Sequence, residues 1–125
     1  RYAKSLIAVG NGEGADSNVG LLTEIVALGN PYVDDMSGGL PVQVLYENTP
    51  RANTQVEIYD RPPEGDVIVS TVRTDGDGKA MIPVAPGHEY LVDAVVMRAL
   101  DPVADNDPVW ESLWASLTFM VPAAQ

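Results

Sequence analysis

The stretch VIVSTVRTDGDGKAMIPV, residues 67–84, decides the predicted fold. Two runs rich in β-branched and apolar residues, 67–74 and 79–84, flank the turn sequence TDGDG. Such runs favour strands, and aspartate and glycine favour the tight turns that join them. The stretch therefore predicts a β-hairpin, with Gly76 and Gly78 at positive φ and Asp75 hydrogen-bonded to the backbone two residues further on.

The same turn also resembles the beginning of a calcium-binding loop. Asp75 and Asp77 have the spacing of the first two ligands of a helix-loop-helix calcium site. That loop also needs an oxygen ligand at its fifth position and a bidentate glutamate at its twelfth. Lys79 and Pro86 occupy those positions here. A turn is therefore favoured over a calcium site.

Working outward from this stretch, short apolar or alternating runs recur along the chain and predict further strands at residues 4–9, 21–28, 40–47, 54–60, 88–98 and 113–121. Ten prolines and eleven glycines separate these runs. The run 88–98 is apolar on both faces, which predicts a central strand. Residues 109–113 are predicted to form one helical turn. The pattern predicts an all-β fold, an antiparallel β-sandwich of about seven or eight strands with Ig-like topology.

Composition narrows the range of possible partners. The 125 residues carry a net charge of −11, so the field of the protein repels nucleic acid and anionic membrane surfaces. No apolar run approaches the roughly 20 residues needed to cross a bilayer, which predicts no membrane insertion. The absence of cysteine excludes disulfides and thiol catalysis. We expect one domain over residues 1–125, starting inside a longer protein because a predicted strand begins at residue 4 with no signal sequence before it.

Several segments together resemble one bacterial family. They are LTEIVAL at 22–28, LPVQVLY at 40–46, PRANTQV at 50–56, RTD and GKA within 73–80, PGHEYLV at 86–92 and LTFMV at 117–121. The family consists of uncharacterised periplasmic β-sandwich proteins found beside nickel and cobalt uptake transporters, often described as NikM-like. Its middle portion is similar to Cna B-type and carboxypeptidase-regulatory sandwiches, which are transthyretin-like.

The resemblance implies a function as well as a fold. It implies an exported domain, periplasmic or at the cell surface, that is not an enzyme but an accessory binding module linked to nickel or cobalt uptake. Its partner would be a membrane metal-uptake transporter or another protein. Family members usually carry a further N-terminal segment with a metal-binding histidine, so we expect this chain to be a fragment or a truncated member. The alternative is a structural module that presents loops or an edge strand to a protein or glycan, with no metal role.

Two sets of residues are candidate metal ligands, although the sequence requires no cofactor. Asp105, Asp107 and Glu111 lie in one acidic segment and offer the oxygen atoms that a divalent cation prefers. A solvated acidic loop is the alternative. His88 is the only histidine, and it needs carboxylates or another segment to complete a transition-metal site. An ordinary surface histidine is the alternative there.

Aromatic residues suggest a third kind of site. Trp110 and Trp114 stand four residues apart, and with Tyr90 they are predicted to form a shelf for a sugar or a partner strand. Packing in the core or at an interface is the alternative. Asp93 lies within the apolar run 88–98, so we expect it to be partly buried and paired with Arg98, Arg73 or a backbone donor.

Overall fold

The computed structural model describes residues 1–100 and 110–123. In these two ranges the chain forms nine β-strands and no helix. The strands are β1 (Tyr2–Ser5), β2 (Thr23–Ala27), β3 (Leu40–Tyr46), β4 (Thr49–Pro50), β5 (Gln55–Arg61), β6 (Ile68–Arg73), β7 (Lys79–Ile82), β8 (Glu89–Ala99) and β9 (Trp110–Met120). The predicted all-β class is confirmed.

The strands form two sheets that face each other. The first sheet has five strands in the order β1-β9-β8-β5-β6. The second has four strands, in which β3 pairs with β2, β4 and β7. Every pairing is antiparallel except that of β1 with β9, which is parallel. The predicted antiparallel β-sandwich is therefore confirmed, with a parallel strand added at one edge.

The core lies between the two sheets and follows the alternation of the strands. On β3, Leu40, Val42 and Val44 are completely buried, and they face apolar residues of the opposite sheet. Those residues are Val56, Ile58, Tyr90, Val92, Ala94, Ala115, Leu117 and Phe119. Each large aliphatic side chain buried in this way stabilises the fold by roughly 1.5–3 kcal/mol.

Strand β8 occupies the predicted central position, between β5 and β9. Tyr90, Val92 and Ala94 point into the core, whereas Leu91 and Val95 on the outer face are half-buried. Asp93 shares that outer face and is nevertheless buried. The strand is therefore apolar on both faces because one face packs in the core and the other is partly covered.

The predicted hairpin at residues 67–84 is wrong, although its turn is present. Asp75 accepts hydrogen bonds from the N–H groups of Asp77 and Lys79 at 2.8 and 3.0 Å, as expected of a turn aspartate. However, β6 pairs with β5 and β7 pairs with β3, so the turn connects the two sheets. The carbonyl of Gly78 accepts the N–H of Val44 at 2.8 Å, which attaches the chain to β3 as soon as it leaves the turn.

Only one of the two turn glycines has the predicted backbone conformation. Gly78 has φ +75°, and a Cβ there would lie 2.9 Å from the carbonyl oxygen of Val44. Gly76 has no positive φ and open space around it. The positive φ is therefore required at the point where the chain joins β3.

Three further local features differ from the prediction. The first strand ends at Ser5, where its pairing with β9 ends, and Ile7 and Val9 in the following loop are each 80% exposed. The helical turn predicted at 109–113 is wrong, since Trp110 to Leu113 already belong to β9 and pair with β8. The two-residue strand β4 lies within a segment predicted to be only a turn.

Candidate functional site

The predicted acidic metal site is described only in part. Asp105 and Asp107 lie outside the described residues. Glu111 forms an ion pair with Arg98, its cross-strand neighbour, at 2.7 Å. The hydrogen bond to Glu111 raises the pKa of the Arg98 guanidinium. In the described part of the chain, no group of three or more His, Cys, Asp or Glu is placed to hold a metal ion.

His88 has a carboxylate partner that the sequence did not indicate. Its Nδ1 lies 2.6 Å from Asp60 Oδ1, and both side chains are about a quarter exposed, at 22% and 25%. The ring stacks on Tyr90 with the centroids 6.1 Å apart. A carboxylate at Nδ1 fixes the ring and leaves Nε2 as the atom that can bind something else.

The predicted aromatic shelf is not formed. Tyr90 is 3% exposed, stacks on Phe119 in the core and accepts the N–H of Ala85 through its hydroxyl oxygen. Trp110 and Trp114 share the outer face of β9, but four residues of strand separate their backbones by about 13 Å. The structure thus brings neither tryptophan together with Tyr90.

Trp114 instead belongs to the outer face of the five-stranded sheet, where the guanidinium of Arg1 lies 5.5 Å from the ring centroid. A cation at this distance from an indole ring is attracted by its π-electrons. The chain itself therefore shows that this face accepts a cationic group.

At the centre of that face lies a row of three polar residues, Ser116, Asp93 and Glu57, which the strand register places side by side. We call it the carboxylate row. Asp93 is only 2% exposed, and its Oδ1 has no hydrogen-bond partner in the described structure. Burial raises the pKa of the Asp93 carboxyl, and the nearby charge of Glu57 raises it further, while the charge of Arg1 offsets part of the rise. The expected partner at Oδ1, an arginine or a backbone donor, is not found there.

Glu57 is held by a neighbour on its own strand. The hydroxyl of Tyr59 donates a hydrogen bond to Glu57 Oε2 at 3.0 Å. This bond to a carboxylate raises the pKa of Tyr59. Sequence reasoning identified Asp93 as unusual but missed Glu57, because only the pairing of β5 with β8 makes the two carboxylates neighbours.

A second buried charged cluster closes one edge of the four-stranded sheet. Lys4 Nζ lies 2.9 Å from both Asp16 Oδ2 and Glu24 Oε2, and the Glu24 side chain is completely buried. The N–H groups of Val19 and Leu21 also donate to Glu24. Asp16 in turn accepts the N–H of Ala27 on β2. Every oxygen of Glu24 is thus satisfied, and the cluster stabilises the loop that leads into β2.

The edge strand β6 is the most exposed apolar segment of the first sheet. Ile68 and Val69 are 59% and 57% exposed, and Val67 just before the strand is 50% exposed. In the described structure β6 pairs with β5 alone. An edge strand with unpaired backbone groups and exposed β-branched side chains is a template for a further strand.

Fold and surface together define a small β-sandwich domain whose notable features are a bare edge strand and a buried, unpaired carboxylate. Comparison with known proteins identifies the family. The profile of a domain of unknown function, DUF4198, matches residues 1–98, and the chain belongs to this family. No curated protein and no solved structure matches the chain. No helix in the described residues is long and apolar enough to span a membrane.

Proposed function

We propose that this domain is a non-catalytic binding module that adds an extended segment of a partner protein to its five-stranded sheet at β6. The observation that supports this proposal is the exposure of Val67, Ile68 and Val69 on an edge that pairs with nothing beyond it in the described structure. Strand addition is a common mode of peptide recognition, in which main-chain hydrogen bonds provide affinity and side-chain contacts provide specificity.

Comparison with the other edges favours β6. The edge of β2 is blocked, because Asp16 Oδ2 accepts the Ala27 N–H at 2.9 Å. Strand β4 has two residues, one of which is Pro50 and has no N–H. Strands β1 and β7 have four residues each. Short strands, proline and covered edges commonly protect a sheet against edge pairing, and β6 has none of these features over its six residues.

The charge of the chain indicates the kind of partner. Each copy of the chain carries a net charge of −11, and the repulsion between two copies disfavours pairing of β6 with the β6 of a second copy. Glu64 and Asp66 immediately precede the strand. We therefore propose a partner segment with alternating apolar residues and at least one lysine or arginine beside these carboxylates.

The substitution Val69→Lys tests this proposal, with Met97→Lys as its matched control. Val69 and Met97 are 57% and 56% exposed, so the two changes add the same charge at equally exposed positions of one sheet. Peptides selected from a random display library on the wild-type domain should lose at least about tenfold affinity with Val69→Lys. Both variants should keep the wild-type free energy of unfolding within about 0.5 kcal/mol.

The outcome separates the alternatives. Equal loss of affinity in both variants would indicate a general charge effect, and unchanged affinity in Val69→Lys would place the peptide elsewhere. Either result contradicts binding at β6. Fluorescence anisotropy with a labelled peptide measures the affinities directly.

Export to the periplasm or cell surface and the absence of catalysis are parts of the same proposal. The resemblance to NikM-like proteins supports export. The chain has no cysteine and one histidine, so it offers neither a thiol nucleophile nor a Cys-His pair.

The transition-metal role is a second candidate function, favoured by the geometry of His88. Its Nδ1 contacts Asp60 at 2.6 Å, the arrangement by which a carboxylate usually orients a metal-binding imidazole. In this proposal Nε2 of His88 binds nickel or cobalt, with the remaining ligands supplied by another segment or by a partner in the uptake system.

A metal titration tests this second function. Nickel in excess should raise the thermal midpoint by about 2 °C or more, because a ligand specific for the folded state stabilises it. His88→Ala should abolish the rise, and Asp60→Asn should weaken it. Calcium should have no effect at His88, since it prefers oxygen ligands. A midpoint unchanged by nickel, or a rise that survives in His88→Ala, contradicts a site at this histidine.

A further inference from the structure

A cavity of about 380 Å³ opens beside the carboxylate row on the outer face of the five-stranded sheet. Residues of both charges line it, among them Arg51, Arg73, Glu57 and Asp93. Its volume falls within the range of small-molecule sites, roughly 300–1,000 Å³. The cavity includes Arg73 at the end of β6, but its lining contains neither the exposed residues 67–69 nor His88.

The charged groups that line this cavity do not neutralise one another. Arg51 Nη1 donates to the carbonyl oxygen of Val95 at 3.2 Å, and Arg73 Nε donates to the Asn53 side chain at 2.8 Å. The ion pairs of the described residues include neither arginine and neither Asp93 nor Glu57. Two guanidinium groups and two carboxyl groups thus line one cavity without pairing.

Asp93 is the residue in this cavity whose buried acceptor lacks a hydrogen-bond partner in the described part of the chain. It is 2% exposed, and its Oδ1 has no hydrogen-bond partner among the described residues. Leaving a buried acceptor unsatisfied destabilises the fold, and more so when the group is charged. Such groups are uncommon in folded proteins, and a bound ion or ligand often supplies the partner they need. Its cross-strand neighbour Glu57 adds a second carboxyl group, and like charges directly opposite destabilise a sheet.

We propose that this cavity binds a small zwitterion of amino-acid size, whose primary ammonium group is held by Asp93 and Glu57 and whose carboxylate is held by Arg51 and Arg73. The ammonium group supplies the N–H donor that Asp93 Oδ1 lacks in the described structure and adds a second donor to Glu57, which already accepts the Tyr59 hydroxyl. Guanidinium groups are well suited to carboxylates, since they present a planar set of donors. Arg51 and Arg73 can both bind the ligand because each has further N–H groups beyond the bonds described above.

Other ligand classes fit less well. A ligand with positive charge alone would be repelled by the two guanidinium groups, and an anion would be repelled by the two carboxylates. A metal ion would find two carboxyl groups and no third acidic or histidine ligand among the described residues. A quaternary ammonium compound has no N–H to donate to Asp93. A zwitterion with a primary amine is the ligand class that complements both the carboxyl groups and the guanidinium groups of the cavity.

A panel of free amino acids tests the proposal by thermal denaturation of the whole chain. Each of the common amino acids is added at a concentration near 10 mM, and at least one should raise the midpoint by about 2 °C or more. The N-acetyl derivative and the methyl ester of that amino acid each lack one charge and should give no rise. Glycine betaine, which keeps both charges but has no N–H, should also give none.

Asp93→Asn and Arg51→Met locate the site, and Glu64→Gln serves as an exposed control. The first two should remove the rise, and the control should retain it. Isothermal titration with the same amino acid should show binding to wild type and at least a tenfold weaker binding to Asp93→Asn. If no amino acid raises the midpoint, or if the rise persists in Asp93→Asn, the proposal is overturned. Equal rises with betaine would rule out donation to Asp93.

Discussion

Replacing Lys4 by methionine is expected to lower the free energy of unfolding by about 3–5 kcal/mol. The ammonium group of Lys4 lies 2.9 Å from Glu24 Oε2 and 2.9 Å from Asp16 Oδ2, and the Glu24 side chain is fully buried. Methionine keeps the apolar stem of lysine but leaves two carboxylates without their cation. Removing one partner of a buried ion pair is far more damaging than removing both. Urea denaturation at neutral pH measures the change.

The double variant Lys4→Met with Glu24→Gln provides the control. It removes the charge of the fully buried Glu24 together with that of Lys4 and leaves only Asp16 charged, so it should recover part of the stability lost in the single variant. Two results would contradict a stabilising role of this cluster: a double variant less stable than the sum of the single changes, or a cost of Lys4→Met alone under about 1 kcal/mol.

The cluster of Lys4, Asp16 and Glu24 also determines part of the loss of folding stability at low pH. Burial alone would raise the pKa of Glu24, but the Lys4 ammonium and the N–H groups of Val19 and Leu21 outweigh it, and the pKa is lowered from 4.5. A carboxyl group whose pKa is lowered by folding stabilises the protein above its unfolded pKa. That contribution is lost as the pH falls from 4.5 through the lower folded value.

Replacing Asp93 by asparagine is expected to have the opposite effect and to raise the free energy of unfolding by about 1 kcal/mol or more at neutral pH, because it removes a buried charge. The carboxyl group is 2% exposed, and Oδ1 has no hydrogen-bond partner in the described structure. Asparagine has nearly the same shape but carries no charge, so it removes the energy needed to bury an ionised group beside Glu57. Urea denaturation of the variant and of wild type at the same pH measures the gain.

The pH dependence of stability identifies the cause of that gain. Burial raises the pKa of Asp93 from its unfolded value of 3.8, so between these two pKa values the folded state holds the proton and the unfolded state does not. Stability therefore falls as the pH rises through this window, and Asp93→Asn should remove that fall. Asp66→Asn, at an exposed position, should leave it in place. A loss of stability in Asp93→Asn would contradict this account and show that the attraction of Arg1 for the ionised carboxylate outweighs the cost of burial.

The effect of Asp93 on stability and its role in binding the amino acid can be measured separately. The asparagine variant should be more stable and at the same time lose the amino-acid response. Functional sites often carry groups that reduce stability, and their removal commonly increases it at the expense of binding. Loss of the response in a variant that is more stable cannot be attributed to unfolding.

The sequence predicted turns and strands better than it predicted which strands pair with each other. The aspartate turn at Asp75 is present, with the predicted hydrogen bond to Asp77. Its two flanking strands nevertheless belong to different sheets, because an Asp-Gly turn specifies a tight reversal but not which strand the chain pairs with next. The N–H of Val44, far away in sequence, decides that pairing.

The candidate sites show the same limit. His88 and Asp93 stand out in the sequence as a single histidine and as a charge in an apolar run. Their neighbours, Asp60 and Glu57, lie far earlier in the chain and become neighbours only through the antiparallel pairing of β5 with β8. Likewise, the alternation that predicts β6 does not reveal that it lies at an edge. Burial, register and edge position are properties of the assembled sheet.

Amide hydrogen exchange across β6, with and without a selected peptide, tests the central claim most directly. Strand addition places new hydrogen bonds on alternate residues of the strand, those whose N–H groups point away from β5. Exchange at those amides within Ile68–Arg73 should slow by at least about tenfold when the peptide is bound. Unchanged exchange across β6, with protection elsewhere in the domain, would contradict the proposal that this edge is the binding surface.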